Sequence, residues 1–242
     1  MVVGVSVEFL LDFAKKHKLL PGDSPYFFPG DHPNPPPWWQ KAMEQSTDRR
    51  LPKSTGNVTN AHIVQETVVT QETYVDQDAV RSAVDSRGQP FVGKADYFVS
   101  HCWNRNFMNM VTMLESHSAL VGSHPQSPYK KNGSNKPVYY WIDIFVKNQH
   151  AVQGDDTANE LKNAVLATGK TIVICDGEWF SPECLERVWC LFEIMWSVRL
   201  KSQLIVLLPD EEVIRSLLTD GDEDEFAVRL HIKVSRYIAN IN

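Results

Sequence analysis

Thr171-Ile172-Val173-Ile174-Cys175 is the stretch on which the fold turns. It carries no charge, and four of its five residues are β-branched, the composition of a strand buried on both faces. Residues 159–168 before it are patterned as a helix, with Gly169 placed to close it as a left-handed cap. After it, Ser181 and Pro182 mark a second helix start, as N-cap and first-turn proline, for a helix running to about Leu200. Residues 203–208 form another apolar strand, stopped by Pro209. Working outward, residues 95–101 are expected to be a short buried strand, 106–117 a helix, 118–136 a loop and 138–146 a strongly β segment. Residues 210–219 and 226–238 carry helical patterns, separated by an acidic turn at 220–225. Strands that alternate with helices imply an α/β fold, a parallel sheet with helices on both faces. Ligands of such sheets bind beyond the carboxyl ends of the strands. Ser100, His101, Asp143 and residues 176–180 lie nearest that edge.

The first 90 residues read differently. Residues 5–18 are patterned as a helix, with Phe9, Leu10, Phe13 and Ala14 on one side and lysines at its C-terminal end. Seven of the 14 prolines fall between residues 21 and 37, among Tyr26, Phe27, Phe28, Trp38 and Trp39. Such density blocks helix and favours loop or polyproline. The stretch is either a ligand for a proline-recognising module or a strap pinned to the surface by its aromatics. Residues 58–83 are expected to hold a strand and then a helix near 76–84. The turn cluster Ser86-Arg87-Gly88-Gln89-Pro90 is the best boundary, dividing an N-terminal extension, 1–90, from an α/β domain, 91–242.

Composition limits the function. A net charge of −6 argues against a nucleic-acid binder working by bulk positive field. No apolar run is long enough to span a bilayer. Residues 1–11 are apolar but lack a basic leader, so no signal peptide is expected. Four cysteines without a CxxC pair suggest free thiols in a reducing compartment. The expectation is a soluble cytoplasmic protein with no membrane or nucleic-acid partner. Cys102, Cys175, Cys184 and Cys190 lack zinc-ligand spacing, and three at most are expected to cluster, so no metal is expected.

The segment Val188-Trp189-Cys190-Leu191-Phe192-Glu193-Ile194-Met195-Trp196 holds one charge, Glu193. A carboxylate among apolar groups needs a partner or a task. It either pairs with an Arg or Lys from another element, or it sits in a pocket beside Trp189, one turn earlier. A carboxylate next to an aromatic wall suits a ligand with hydroxyls and a flat ring, such as a nucleoside. Ser100-His101-Cys102 offers a nucleophile and a base, but neighbours on a strand face opposite ways. His150 reads as a loop anchor.

Four runs carry a resemblance. Asp96-Tyr97-Phe98-Val99-Ser100-His101 resembles the first strand of TIR (Toll/interleukin-1 receptor) domains, and Trp141-Ile142-Asp143 the second. Residues 161–194, ending in Trp189-Cys190-Leu191-Phe192-Glu193, resemble their most diagnostic segment, including the Trp-x-x-x-Glu pattern of enzymatic members. Phe98 to Trp103, Trp141 to Phe145, Asn148-Gln149-His150 and Arg187 to Leu191 look like a divergent TIR-like family of algal and protist proteins. The resemblance spans about residues 91–210. It implies a flavodoxin-like sheet and cleavage of NAD between nicotinamide and ribose, with NAD as substrate and no cofactor. Glu193 would be the catalytic glutamate of an NAD glycohydrolase, with Ser100, His101, Arg105, Asp143 and Trp189 as substrate-pocket candidates. The chain departs from the plant-type pattern: the usual Arg after the first strand is Cys102, the acidic pair is Asn104 and Arg105, and the glycine after Asp143 comes late, at Gly154. The alternatives are a non-catalytic TIR-like module that signals by TIR–TIR self-association, and a nucleoside-processing enzyme of deoxyribosyltransferase-like shape.

Overall fold

The structure is a computed structural model that describes residues 2–28, 30–31, 37–45, 50–123, 130–131, 134–151, 156–176 and 183–208. The principal strands are β1 (Val3–Ser6), β2 (Val92–Lys94), β3 (Tyr97–Ser100), β4 (Tyr139–Trp141), β5 (Lys170–Ile174) and β6 (Gln203–Leu207). The principal helices are α1 (Val7–Lys16), α2 (Phe107–Ser123), α3 (Asp156–Thr168) and α4 (Val188–Arg199). Helices and strands mix throughout, so the chain is α/β. No helix among the described residues is long and apolar enough to cross a membrane.

The chain divides into two compact units. Among the described residues, one holds Val2, Ala95–Cys102, 156–176 and 183–208. Its ladder is parallel: Phe98 pairs with Thr171 and Ser100 with Val173, while Gln203 pairs with Lys170 and Leu207 with Ile174. The central strand β5 is buried from Thr171 to Ile174, as an uncharged β-branched run requires. β6 exposes Gln203 and Leu204. α3 and α4 pack against each other and against the ladder. Gly169 caps α3 at φ +63°, a conformation that costs glycine least, and its amide donates to the Val165 carbonyl at 3.0 Å. The expected helix from 181 to 200 is broken instead. Glu183–Leu185 is a 3₁₀ turn, and α4 starts afresh at Val188 after an extended Arg187.

The other unit holds Val3–Lys94 and Trp103–Val152. Here two strands that were not expected, β1 and β2, add antiparallel pairing. β1 runs antiparallel to β2, with Val5 opposite Val92, and antiparallel to β4, with Val5 opposite Tyr140. Gly93 in β2 lies against the Tyr139 ring, where an added Cβ would come within 2.5 Å of the ring carbons. The helix expected over 5–18 also changes: Val3–Ser6 is a strand, and α1 begins at Val7. Ser6 is the reason, since its hydroxyl accepts the Phe9 amide at 3.2 Å as an N-cap.

The β signal of 138–146 stops at Trp141, because Phe145 and Val146 both donate their amides to the Ile142 carbonyl and close a short helix, Asp143–Val146. α2 extends to Ser123, beyond the expected loop boundary. Residues 58–83 contain helical turns and no strand. Ser54 caps the first turn, and the Thr59 and Thr67 hydroxyls donate to the Thr55 and Ile63 carbonyls one turn back, at 2.8 and 2.7 Å. In the proline-rich stretch Tyr26–Phe27 pairs with Leu51–Pro52, and Pro37 opens a helix to Gln45 rather than continuing a loop. Phe27 and Trp39 are buried, with ring centres 4.9 Å apart, and Phe28 is exposed. Pro29, Pro33, Pro35 and Pro36 lie outside the described residues.

The core of this unit is aromatic. Phe145 stands edge-on to Phe9 at 5.0 Å and to Phe13 at 5.1 Å, with Tyr74 at 5.8 Å. Beside it, Glu66 accepts from Lys16 Nζ at 2.7 Å and from the Tyr74 hydroxyl at 2.8 Å, and lies 3.1 Å from His17 Nε2. Burial opposes its ionisation, but the bonds from His17, Lys16 and Tyr74 outweigh this and hold its carboxyl down at about 2, against an ordinary 4.5. A lowered folded-state value adds stability above pH 4.5 that is lost as pH falls towards 2. Glu66→Gln is therefore expected to lower the urea midpoint at pH 7. The gap between the two proteins closes by pH 2, and a gap that stayed constant would refute the linkage.

Candidate functional site

Two elements of the parallel unit meet at the carboxyl end of its ladder. Ser100 is the last residue of β3, and Glu193 lies in the second turn of α4. The Ser100 hydroxyl donates to Glu193 Oε2 at 2.5 Å. Both residues are buried, Glu193 with 8% of its surface exposed. The helix shape explains the placement. α4 turns Cys190, Glu193, Ile194 and Ser197 towards the ladder, an i, i+3, i+4, i+7 stripe. Ser197 Oγ fixes the next turn, 2.7 Å from Thr171 Oγ1 on β5 and 2.8 Å from the Glu193 carbonyl. One turn earlier, Cys190 Sγ lies 4.0 Å from Cys102 Sγ and 3.5 Å from the His101 carbonyl. Ser100–Glu193 and Cys102–Cys190 are thus two successive ties between the end of β3 and the start of α4.

The arrangement holds a carboxylate rigidly at a sheet edge with one oxygen bonded by a hydroxyl. Ser100→Ala removes that donor from a buried acceptor, which costs about 1–3 kcal/mol. The urea midpoint should fall with an unchanged m-value; a midpoint within error of the parent would show that the bond carries no weight.

The other candidates are dispersed. His101 is buried, and its carbonyl serves Cys190. Trp189, second residue of α4, is 46% exposed, with its ring edge-on to Phe192 at 6.0 Å. Phe192 in turn meets Trp196, over which Lys162 Nζ sits 4.3 Å from the ring centre. Arg105 and Asp143 belong to the other unit. The Arg105 carbonyl accepts the Thr55 amide at 2.8 Å. Asp143 Oδ2 accepts from Trp103 Nε1 at 3.0 Å, and its carbonyl accepts from Gln149 Nε2 at 2.9 Å. His150 anchors its loop, as expected, with Nε2 2.8 Å from the Thr67 hydroxyl. Asp176 is buried at the end of β5, and residues 177–180 lie outside the described residues. So do Gly154, the Ser181-Pro182 helix start, the helices at 210–219 and 226–238, and the acidic turn between them.

Sequence reasoning missed the cysteines. The expectation was three at most in one place, and the structure gathers all four in one buried cluster with Val173, Leu185 and Ile194. Cys175 Sγ is 3.0 Å from Cys184 Sγ. The contact with Cys175 and burial push the Cys184 thiol up, and the contact with Cys102 and burial push the Cys190 thiol up. Among the described residues no group of three or more His, Cys, Asp and Glu is placed to hold a metal ion. The sequence carried one usable signal: Cys102 and Cys175 follow strand ends and Cys190 lies in the glutamate helix.

No protein family, no curated protein and no solved structure matches the chain.

Proposed function

We propose that the chain is a TIR-like NAD glycohydrolase of flavodoxin-like build, in signalling or defence, with Glu193 as its catalytic carboxylate. The observation that carries this reading is the buried Glu193 held by Ser100 at the carboxyl end of a parallel ladder, where α/β proteins bind ligands. The resemblance of the runs at 96–101, 141–143 and 189–193 supports it. Nicotinamide departs as a neutral leaving group and takes the electron pair of the C1′–N bond. The ribose acquires oxocarbenium character, which a fixed carboxylate stabilises without reorganising. Water then attacks C1′ and releases a proton, giving ADP-ribose. Attack by the adenine ring gives a cyclic product instead. Ser100 acts as a positioning residue, holding the carboxylate in one rotamer. Trp189 supports the substrate's flat ring from the start of α4. The reading is tested by incubating the protein with NAD and following nicotinamide and both products by chromatography. Turnover of nucleosides with NAD left intact would favour the deoxyribosyltransferase-like alternative.

A second reading rests on the start of α4, where Val188 is 78% and Trp189 46% exposed. Apolar residues so placed suit self-association of a non-catalytic module. That reading expects no nicotinamide release at any protein concentration, and light scattering that rises with concentration and falls in Trp189→Ala.

A further inference from the structure

We propose that Cys175 and Cys184 form a reversible dithiol–disulfide site, oxidised by a small peroxide. The two sulfurs are 3.0 Å apart, and a disulfide needs about 2.05 Å, so closure requires movement of about 1 Å. The second pair, Cys102 and Cys190, stands at 4.0 Å and requires about twice that approach. The first pair also joins a strand end, where the Cys175 amide donates to the Leu207 carbonyl at 2.9 Å, to a short turn. Cys175 follows the last residue of β5, whereas Cys184 sits in the isolated 3₁₀ turn Glu183–Leu185, outside any ladder or long helix. Cys190 by contrast is fixed in the first turn of α4, held by the His101 carbonyl.

The chemistry balances as follows. One sulfur of the pair, as its thiolate, attacks a peroxide oxygen. The O–O bond breaks, a sulfenic acid forms and, with one proton, a water leaves. The other sulfur attacks the sulfenic sulfur, the S–S bond forms and a second water leaves. Two thiols lose two hydrogens and two electrons, and one hydrogen peroxide becomes two waters. Burial and the neighbouring sulfur keep the Cys184 thiol protonated in the closed core, so the reaction is slow and draws on transient opening. The pair then withstands trace oxidant and responds to a sustained excess.

The test treats the folded full chain with excess hydrogen peroxide for hours, then denatures it with an alkylating reagent and measures intact mass and digested peptides. The expected result is loss of two of the four alkylatable thiols, a mass change of two hydrogens per chain and a peptide pair joined through Cys175 and Cys184. Dithiothreitol restores all four thiols. Cys102→Ser still forms the crosslink, and Cys184→Ser forms none. Four thiols that stay alkylatable, a crosslink through Cys102 or Cys190, or oxygen addition without a crosslink would each overturn the proposal.

Discussion

Glu193→Gln is expected to lower the rate of nicotinamide release from NAD about 10³-fold, roughly 4 kcal/mol of lost transition-state stabilisation. Glutamine keeps the shape of the side chain and an oxygen for the Ser100 hydroxyl, so the β3–α4 tie at this point persists. What disappears is the negative charge that, on the proposed NAD cleavage, faces a developing oxocarbenium ion. A carboxylate already held by a neighbour pays no reorganisation at the moment of bond breaking, and that is why the loss is large. Circular dichroism and the urea midpoint confirm that the variant is folded. A rate within a few-fold of the parent in folded protein would remove Glu193 from the chemistry.

Phe145→Ala is expected to destabilise the chain by about 3–5 kcal/mol and to lower the thermal midpoint by roughly 6–20 °C. Phe145 is fully buried, and its ring touches Phe9, Phe13, Tyr74 and Phe107. Those partners come from α1, from the turn at Tyr74–Asp76 and from α2, elements held by one another's rings rather than by a shared ladder. Deleting the ring leaves a cavity that they cannot close without moving together. Phe145→Leu restores most of the volume and should recover about half of the loss. An alanine variant that unfolds within 2 °C of the parent would contradict the packing described.

The sequence declared some of this and concealed the rest, for reasons that can be named. β5, α3 and β6 were legible because each is a local pattern: a β-branched run, a helical stripe ending in glycine, an apolar run before proline. β1 was concealed because Val3–Ser6 flows into α1 without a break, and one residue, Ser6, makes the division through its side chain. The stretch 58–83 misled because its threonines look like strand residues yet satisfy their hydroxyls on helical carbonyls. Within the candidate site, Glu193 announced itself as the one charge in an apolar segment. Ser100 was placed at the same edge, but its bond to Glu193 was not legible, since the two residues are 93 apart in sequence. A basic partner and a pocket were the two readings of that carboxylate, and one bond found is to a hydroxyl. The gathering of the cysteines was beyond reach for the same reason, because it depends on β3, β5, a 3₁₀ turn and α4 converging.

The pairing of β1 has a consequence for biosynthesis. Val5 emerges from the ribosome well before its partners Val92 and Tyr140. Until Tyr140 has been made, the strand has an unpaired edge and two valines without a place. Loop closure over such distances is slow, and exposed edges invite wrong partners. The nascent β1 therefore waits for its β4 partner until residues 139–141 have been made.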